Sequence, residues 1–197
     1  MTTRAALPPG TLLEDRYKIV SILRAGGMGA LYCAHDTRLA DSPCAVKEML
    51  PQHDGGGANT DYIRRRFLEE MKVLARLNHP DIPRVRDYFV EGGLNYIVMD
   101  LVEGSNLLDA LHERGQPLPA PEVVRLGLSI LSILEYLHSH NPPTIHRDIK
   151  PANILIERGT GRFKLVDFGL ACDASTGATV HTQVGTLGYC PLEQIQG

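Results

Sequence analysis

Short apolar runs, each of strand length, dominate the first hundred positions of the chain. Tyr17 to Leu23, Ala30 to Ala34, Cys44 to Met49, Val85 to Val90 and Asn95 to Val102 are separated by glycine and polar clusters, which predicts an antiparallel meander. Residues 1 to 10, ending in Pro8-Pro9-Gly10, read as a disordered lead-in. A flexible bridge from Pro51 to Asn59, with three consecutive glycines, follows the third run.

One helix is predicted between the third and fourth runs, from Asp61 to Asn78. Asp61 is its N-cap, and Ile63, Phe67, Leu74 and Leu77 fall on one face. Glu70 falls on that same face. A carboxylate there either meets a cationic partner or sits at the edge of the stripe and reaches water.

The second half of the chain has a different pattern. Ser105 to Glu113 reads as a short helix, and Pro121 to His138, apolar nearly all round, as a buried one. Ile154 to Ile156 and Phe163 to Val166 read as two short strands joined by Glu157-Arg158-Gly159-Thr160-Gly161. Residues 170 to 186, rich in Ser, Thr and Gly, are expected to form a mobile loop. A sheet-rich front and a helical back predict an α+β chain of two lobes with a cleft between them.

Composition narrows the class. At 43% hydrophobic and 22% charged residues the chain has enough apolar content to fold. The formal net charge of -3 offers no basic excess, so nucleic acid is not the expected partner. Cys33, Cys44, Cys172 and Cys190 form neither a C-x-x-C pair nor a zinc-ligand spacing. The first ten residues lack the apolar core of a secretory signal. Val123 to Leu137 is interrupted by Arg125 and Glu135 and is too short to span a bilayer. A reducing, cytoplasmic compartment is the expectation.

Three places carry candidate chemistry. Gly26-Gly27-Met28-Gly29 lies between two predicted strands, where backbone N–H groups could approach phosphate oxygens; an ordinary glycine-rich hairpin turn would look the same. No Gly-Lys-Ser/Thr follows, and no long helix opens behind it, so it is neither a Walker A loop nor a Rossmann fingerprint. Lys47 ends an apolar run and reads either as a snorkelling lysine or as a phosphate ligand that Glu70 would partner.

The third place is the most specific. His146-Arg147-Asp148-Ile149-Lys150-Pro151-Ala152-Asn153 precedes a predicted hairpin, and Asp167-Phe168-Gly169 follows it. Hard divalent cations take oxygen ligands such as the Asp167 carboxylate and the Asn153 amide. Asp148 can accept a hydroxyl proton, and Lys150 can neutralise charge on a transferring phosphoryl group.

With these motifs in this order, the chain resembles a eukaryotic-type protein kinase domain, and most resembles the bacterial serine/threonine kinases. The resemblance runs from about Tyr17 to the last residue. It implies a bilobal fold, with residues 11–102 as an antiparallel N-lobe and hinge and 103–197 as a partial, mainly helical C-lobe. It also implies ATP and Mg2+ as cofactors and the Ser or Thr hydroxyls of proteins as acceptors, Lys150 being the serine/threonine type of residue. Leu23, Gly26, Gly27 and Gly29 would cover the nucleotide, with Leu31 and Ala45 above the adenine and Leu155 below it. Lys47 would hold the phosphates, positioned by Glu70. Met99 would be the gatekeeper, with Asp100 to Val102 as the hinge. Asp148 would be the catalytic base or orienter, Lys150 a γ-phosphate contact, and Asn153 and Asp167 the metal ligands. Arg147 often goes with activation by phosphorylation in this family, for which Thr176, Thr179, Thr182 and Ser175 would be the acceptors, a merely soluble loop being the alternative, and Thr186 would touch Asp148 and Lys150.

Three departures stand out. Arg24 replaces the first glycine of the family's loop, giving R-A-G-G-M-G, which predicts differently tuned nucleotide binding. Pro191-Leu192-Glu193 keeps the glutamate of the family's Ala-Pro-Glu element but moves the proline. Complete domains continue for several helices beyond the equivalent of Glu193. A fragment of a longer kinase, or an incomplete gene product, is therefore expected, with a partly uncovered apolar face on helix 121–138, poor stability and little or no turnover. A kinase-like remnant that binds nucleotide or a partner without turnover is the alternative.

Overall fold

The computed structural model describes residues 5–26, 29–49, 71, 74–168, 172–173 and 188–189. The chain divides into two units, Met1–Ala75 with Arg84–Leu101 and Arg76–Pro83 with Val102–Gly197.

The first unit is a six-stranded antiparallel sheet. Its strands are β1 (Leu12–Leu13), β2 (Tyr17–Gly26), β3 (Gly29–Asp36), β4 (Ser42–Met49), β5 (Val85–Glu91) and β6 (Leu94–Asp100), in the order β1-β2-β3-β4-β6-β5. The expected meander fails at one point: β6, not β5, pairs with β4. β5 lies outside it and turns back through Gly92-Gly93, both at positive φ as a two-residue hairpin loop requires.

The sheet curls until its two ends meet. The Tyr17 hydroxyl donates to Asp87 Oδ2 at 2.6 Å, and the Tyr17 ring stacks on Phe89 (5.7 Å), which stacks on Tyr96 (5.1 Å). β3 alternates strictly, with Ala30, Tyr32, Ala34 and Asp36 buried and their neighbours half-exposed, so one face forms the interior of the curl. That interior holds Tyr17, Ile19, Tyr32, Val46, Tyr96 and Val98. Burial pushes the Cys44 thiol up to about 11, which makes it an unreactive core group.

Residues 5–10 do not behave as the disordered lead-in expected of them. Ala6 and Leu7 pack on the sheet's core, Leu7 N donates to the Tyr32 hydroxyl at 3.1 Å, and Gly10 N donates to Ile19 O at 2.8 Å. Apolar side chains so close to a core gain more from burial than the short segment loses in entropy.

The predicted helix 61–78 lies mostly outside the described residues. Its end is described: Met71 and Leu74 are helical, Ala75 N donates to Met71 O, and residues 77–79 are not helical. The helix stops short of Asn78 because Pro80 disfavours helical backbone before it and because Asn78 N donates instead to the Tyr136 hydroxyl at 2.7 Å.

The second unit contains β7 (Gly104–Asn106), α1 (Leu107–Arg114), α2 (Ala120–His138), β8 (Thr144–Ile145), a 3-10 turn (Pro151–Asn153), β9 (Ile154–Glu157), β10 (Phe163–Leu165) and β11 (Cys172–Asp173). β10, β9 and β7 form one small sheet, and β11 and β8 another. The expected helix at Ser105 starts later because Asn106 caps it, accepting from Asp109 N at 2.9 Å, while 104–106 pair with β9. Within the expected loop 170–186, Cys172–Asp173 is a strand paired with β8; the rest of that loop lies outside the described residues.

α2 corrects the reading of a helix buried all round. Ile133 and Leu137 are fully buried, but Val124, Leu128 and Leu131 are 61–63% exposed, one stripe at i, i+4 and i+7. The expected uncovered apolar face is therefore present on α2. Residues 76–83 join this unit through the β9–β10 hairpin: Leu165 N donates to Asp81 O (2.9 Å), Arg162 pairs with Asp81 (2.7 Å) and Lys164 Nζ donates to Pro80 O (2.9 Å).

Candidate active-site residues

In the first unit the ladder sets which side chains share a face. Leu31 lies opposite Lys47 and Cys33 opposite Ala45, while Lys47 lies opposite Ile97 and Ala45 opposite Met99. Cross-strand partners project to the same side. Leu31, Cys33, Ala45, Lys47, Ile97 and Met99 therefore form one face, opposite the aromatic interior. Of the expected nucleotide contacts, Leu31, Ala45, Lys47 and Met99 are on it. Cys33 and Ile97 are not among the sequence expectations; two-residue alternation reaches Cys33 from Leu31 and Ile97 from Met99.

The glycine hairpin is described at its two ends. Gly26 pairs with Gly29, and Gly27 and Met28 lie outside the described residues. Gly29 has a φ of +133°, and a Cβ there would sit 2.0 Å from the Glu48 carbonyl oxygen. Glycine is thus needed for the approach of β3 to β4, whatever its role toward phosphate. Leu23 is half-exposed at 49%. Asp100 uses its carboxylate on Arg86 Nε (2.7 Å) and Arg84 N (3.2 Å), and its own N–H donates to Arg84 O (3.0 Å). Glu70 lies outside the described residues.

In the second unit, four expected residues gather around the 3-10 turn. Lys150 Nζ lies 2.7 Å from Asp148 Oδ2. The Asn153 amide nitrogen donates to the Asp148 main-chain oxygen (2.8 Å) and to its Oδ2 (2.9 Å). Val166 N donates to Asn153 O at 2.9 Å, which brings Asp167, the next residue, alongside the turn. Arg147 (φ 67°) and Asp167 (φ 64°) both hold left-handed backbone, a strained conformation for a non-glycine residue that the surrounding contacts maintain. Leu155 is half-buried on β9, between Asn106 and Lys164 in the ladder, and Val102 starts the unit's main segment.

His146, beneath this cluster, is 1% exposed and meets the Phe168 ring edge-on at 4.6 Å. Burial holds its imidazole below the usual histidine range, opposed by the Val166 backbone and the nearby Asp167 and Asp148 carboxylates. Its Nδ1 accepts from Asp148 N at 3.3 Å, which ties the buried ring to the loop.

The cluster fits a magnesium ion. With its amide nitrogen committed to Asp148, Asn153 keeps an oxygen that would serve as one hard ligand, and the Asp167 carboxylate would serve as another.

Residues 17–197 match the protein kinase domain. The chain belongs to the protein kinase family. It is 37% identical over 193 residues to a probable serine/threonine-protein kinase of Streptomyces coelicolor, SCO3848, covering 94% of this chain and 27% of that protein. Serine/threonine-protein kinase PrkC of Bacillus subtilis is 35% identical over 190 residues, covering 95% and 28%. Among solved structures, the Mycobacterium tuberculosis PknI kinase domain is similar at 32% identity with a TM-score of 0.68, over 85% of this chain and 64% of that one. The chain thus spans about a quarter of the length of the two curated relatives. Both units fit this kinase's family fold: a curled antiparallel N-lobe sheet and an incomplete C-lobe. No helix among the described residues is long and apolar enough to cross a membrane.

Proposed function

We propose that the chain is the catalytic part of a cytoplasmic serine/threonine protein kinase, transferring the γ-phosphoryl group of ATP to the hydroxyl of a protein Ser or Thr. The observation that carries this reading is the Asp148 carboxylate held by Lys150 and Asn153 at hydrogen-bond distance. A carboxylate fixed by two donors has one orientation, which is what alignment of an incoming hydroxyl requires.

In the proposed reaction the substrate oxygen forms a bond to the γ-phosphorus, the bond from that phosphorus to the bridging oxygen breaks, and ADP leaves. The hydroxyl proton passes to Asp148. Lys150 would neutralise charge on the moving phosphoryl oxygens. Asn153 and Asp167 would hold Mg2+, which supplies charge neutralisation on the phosphates when bound. Lys47 would contact the α- and β-phosphates, and Glu70 would position it. Leu23, Leu31, Ala45, Met99 and Leu155 would enclose the adenine, Asp100 to Val102 would pair with its edge through the backbone, and Gly26, Gly27 and Gly29 would cover the phosphates. The expected phosphorylation sites Thr176, Thr179, Thr182 and Ser175 lie outside the described residues, as does Thr186.

The test is phosphate transfer from Mg-ATP to a protein acceptor, with phosphoamino-acid analysis. Label on Ser and Thr that Asp148→Asn abolishes supports the reading. Nucleotide binding without any transfer by the wild-type chain would favour a binding remnant instead.

A further inference from the structure

Arg24 is placed by a fault in the ladder. Ile22 lies opposite Tyr32, and regular pairing would put Leu23 opposite Leu31 and Arg24 opposite Ala30, on the buried aromatic face. The register instead shifts between Ile22 and Arg24, and Arg24 lies opposite Leu31. One extra residue in β2 re-aims the side chains that follow it. The guanidinium is thereby moved off the core face and onto the face of Leu31 and Lys47.

The resulting row runs Arg24, Leu31, Lys47, Ile97 across β2, β3, β4 and β6. Arg24 and Lys47 are two strand spacings apart, about 10 Å between backbones, and both side chains are long. The residue between them is an uncharged leucine. Arg24 is exposed and stands two positions before Gly26, at the mouth of the glycine hairpin. Two cations on one face, separated by an apolar residue and flanked by glycine backbone, match a polyanion lying along that face. A planar guanidinium suits phosphate oxygens because it donates two parallel bonds.

We infer that Arg24 is a second cationic contact for the nucleotide's phosphates, working with Lys47 from the opposite side of Leu31. This rests on the reading that the first unit binds ATP. Arg24 discriminates by phosphate charge: it strengthens ATP most, ADP less, and adenosine not at all.

The experiment is equilibrium titration of the 197-residue chain with Mg-ATP, Mg-ADP and adenosine, in wild type, Arg24→Gln, Arg24→Lys and Lys47→Met. Circular dichroism and melting check that each variant is folded; Arg24 is exposed, so Arg24→Gln is expected to melt as wild type does. Loss of a charge-assisted contact predicts roughly tenfold weaker Mg-ATP binding in Arg24→Gln, an unchanged adenosine affinity and a shallower salt dependence. Arg24→Lys is expected to fall between. Mg-ATP affinity equal to wild type in Arg24→Gln, with Lys47→Met impaired, overturns the inference and leaves the nucleotide site standing. An equal loss for adenosine overturns it as well, because the contact would then be to sugar or base. Failure of the wild-type chain to bind Mg-ATP at all overturns the nucleotide site and the inference together.

Discussion

Asn153 donates its side-chain amide to both the main-chain carbonyl and the carboxylate of Asp148, at 2.8 and 2.9 Å. One buried residue thus fixes the loop that carries the proposed base. Asn153→Ala is expected to cost about 1–3 kcal/mol of stability, because it leaves a half-buried carboxylate with one donor fewer. It is also expected to weaken Mg2+-dependent nucleotide binding. Denaturant melts and a magnesium titration of ATP affinity check the two effects separately.

Asp148→Asn removes the proton acceptor while keeping shape and the capacity to accept from Asn153. Phosphate transfer is expected to fall by about 10²–10⁴-fold, with Mg-ATP affinity within a factor of about three of wild type. Single-turnover transfer and equilibrium binding on the same preparation separate the two outcomes.

Gly29 illustrates how a residue read as chemical can be structural as well. Its φ of +133° and the 2.0 Å approach of a Cβ to the Glu48 carbonyl mean that Gly29→Ala must push β3 from β4. A loss of about 2 kcal/mol or more is expected, seen as a lower melting temperature. Gly26→Ala meets open space and is expected to melt much as wild type does.

Stability is expected to fall on the acid side in two stages. His146 is held below the usual histidine range by burial, so its contribution is complete above the unfolded value near 6.5 and declines as pH falls through that value toward the folded one. His79 is shifted the same way by burial. The Arg16 guanidinium, at 2.8 Å from both Asp36 oxygens, holds the Asp36 carboxyl below its ordinary range against the opposing effect of burial. Its contribution is complete above about 3.9 and is lost as pH falls through the lowered folded value. His146→Gln is expected to flatten the first stage and Asp36→Asn the second, in urea midpoints measured from pH 8 to pH 3.

The motif residues are legible because the proposed phosphoryl transfer would dictate their types and order, and the strands because apolar runs and glycine breaks mark them. Strand order was not: nothing local tells β5 to pass outside β6, a choice made by long-range pairing of Tyr17 and Arg16 with Asp87. The lead-in was misread because Pro8-Pro9-Gly10 looks like a linker, although Leu7 has a place on the core. The placement of Arg24 was hidden too, since a one-residue register shift leaves no compositional mark.

The exposed stripe on α2 is expected to drive self-association. Leu128→Lys with Leu131→Gln should reduce light scattering on warming while leaving the melting temperature within a few degrees, because both side chains are more than 60% exposed.

The most direct test is transfer of labelled phosphate from Mg-ATP to protein by the 197-residue chain, beside its Asp148→Asn variant. A slow transfer to Ser and Thr hydroxyls that disappears in Asp148→Asn is predicted. Label that persists in the variant, or Mg-ATP bound by the wild-type chain with no label transferred, would contradict the account.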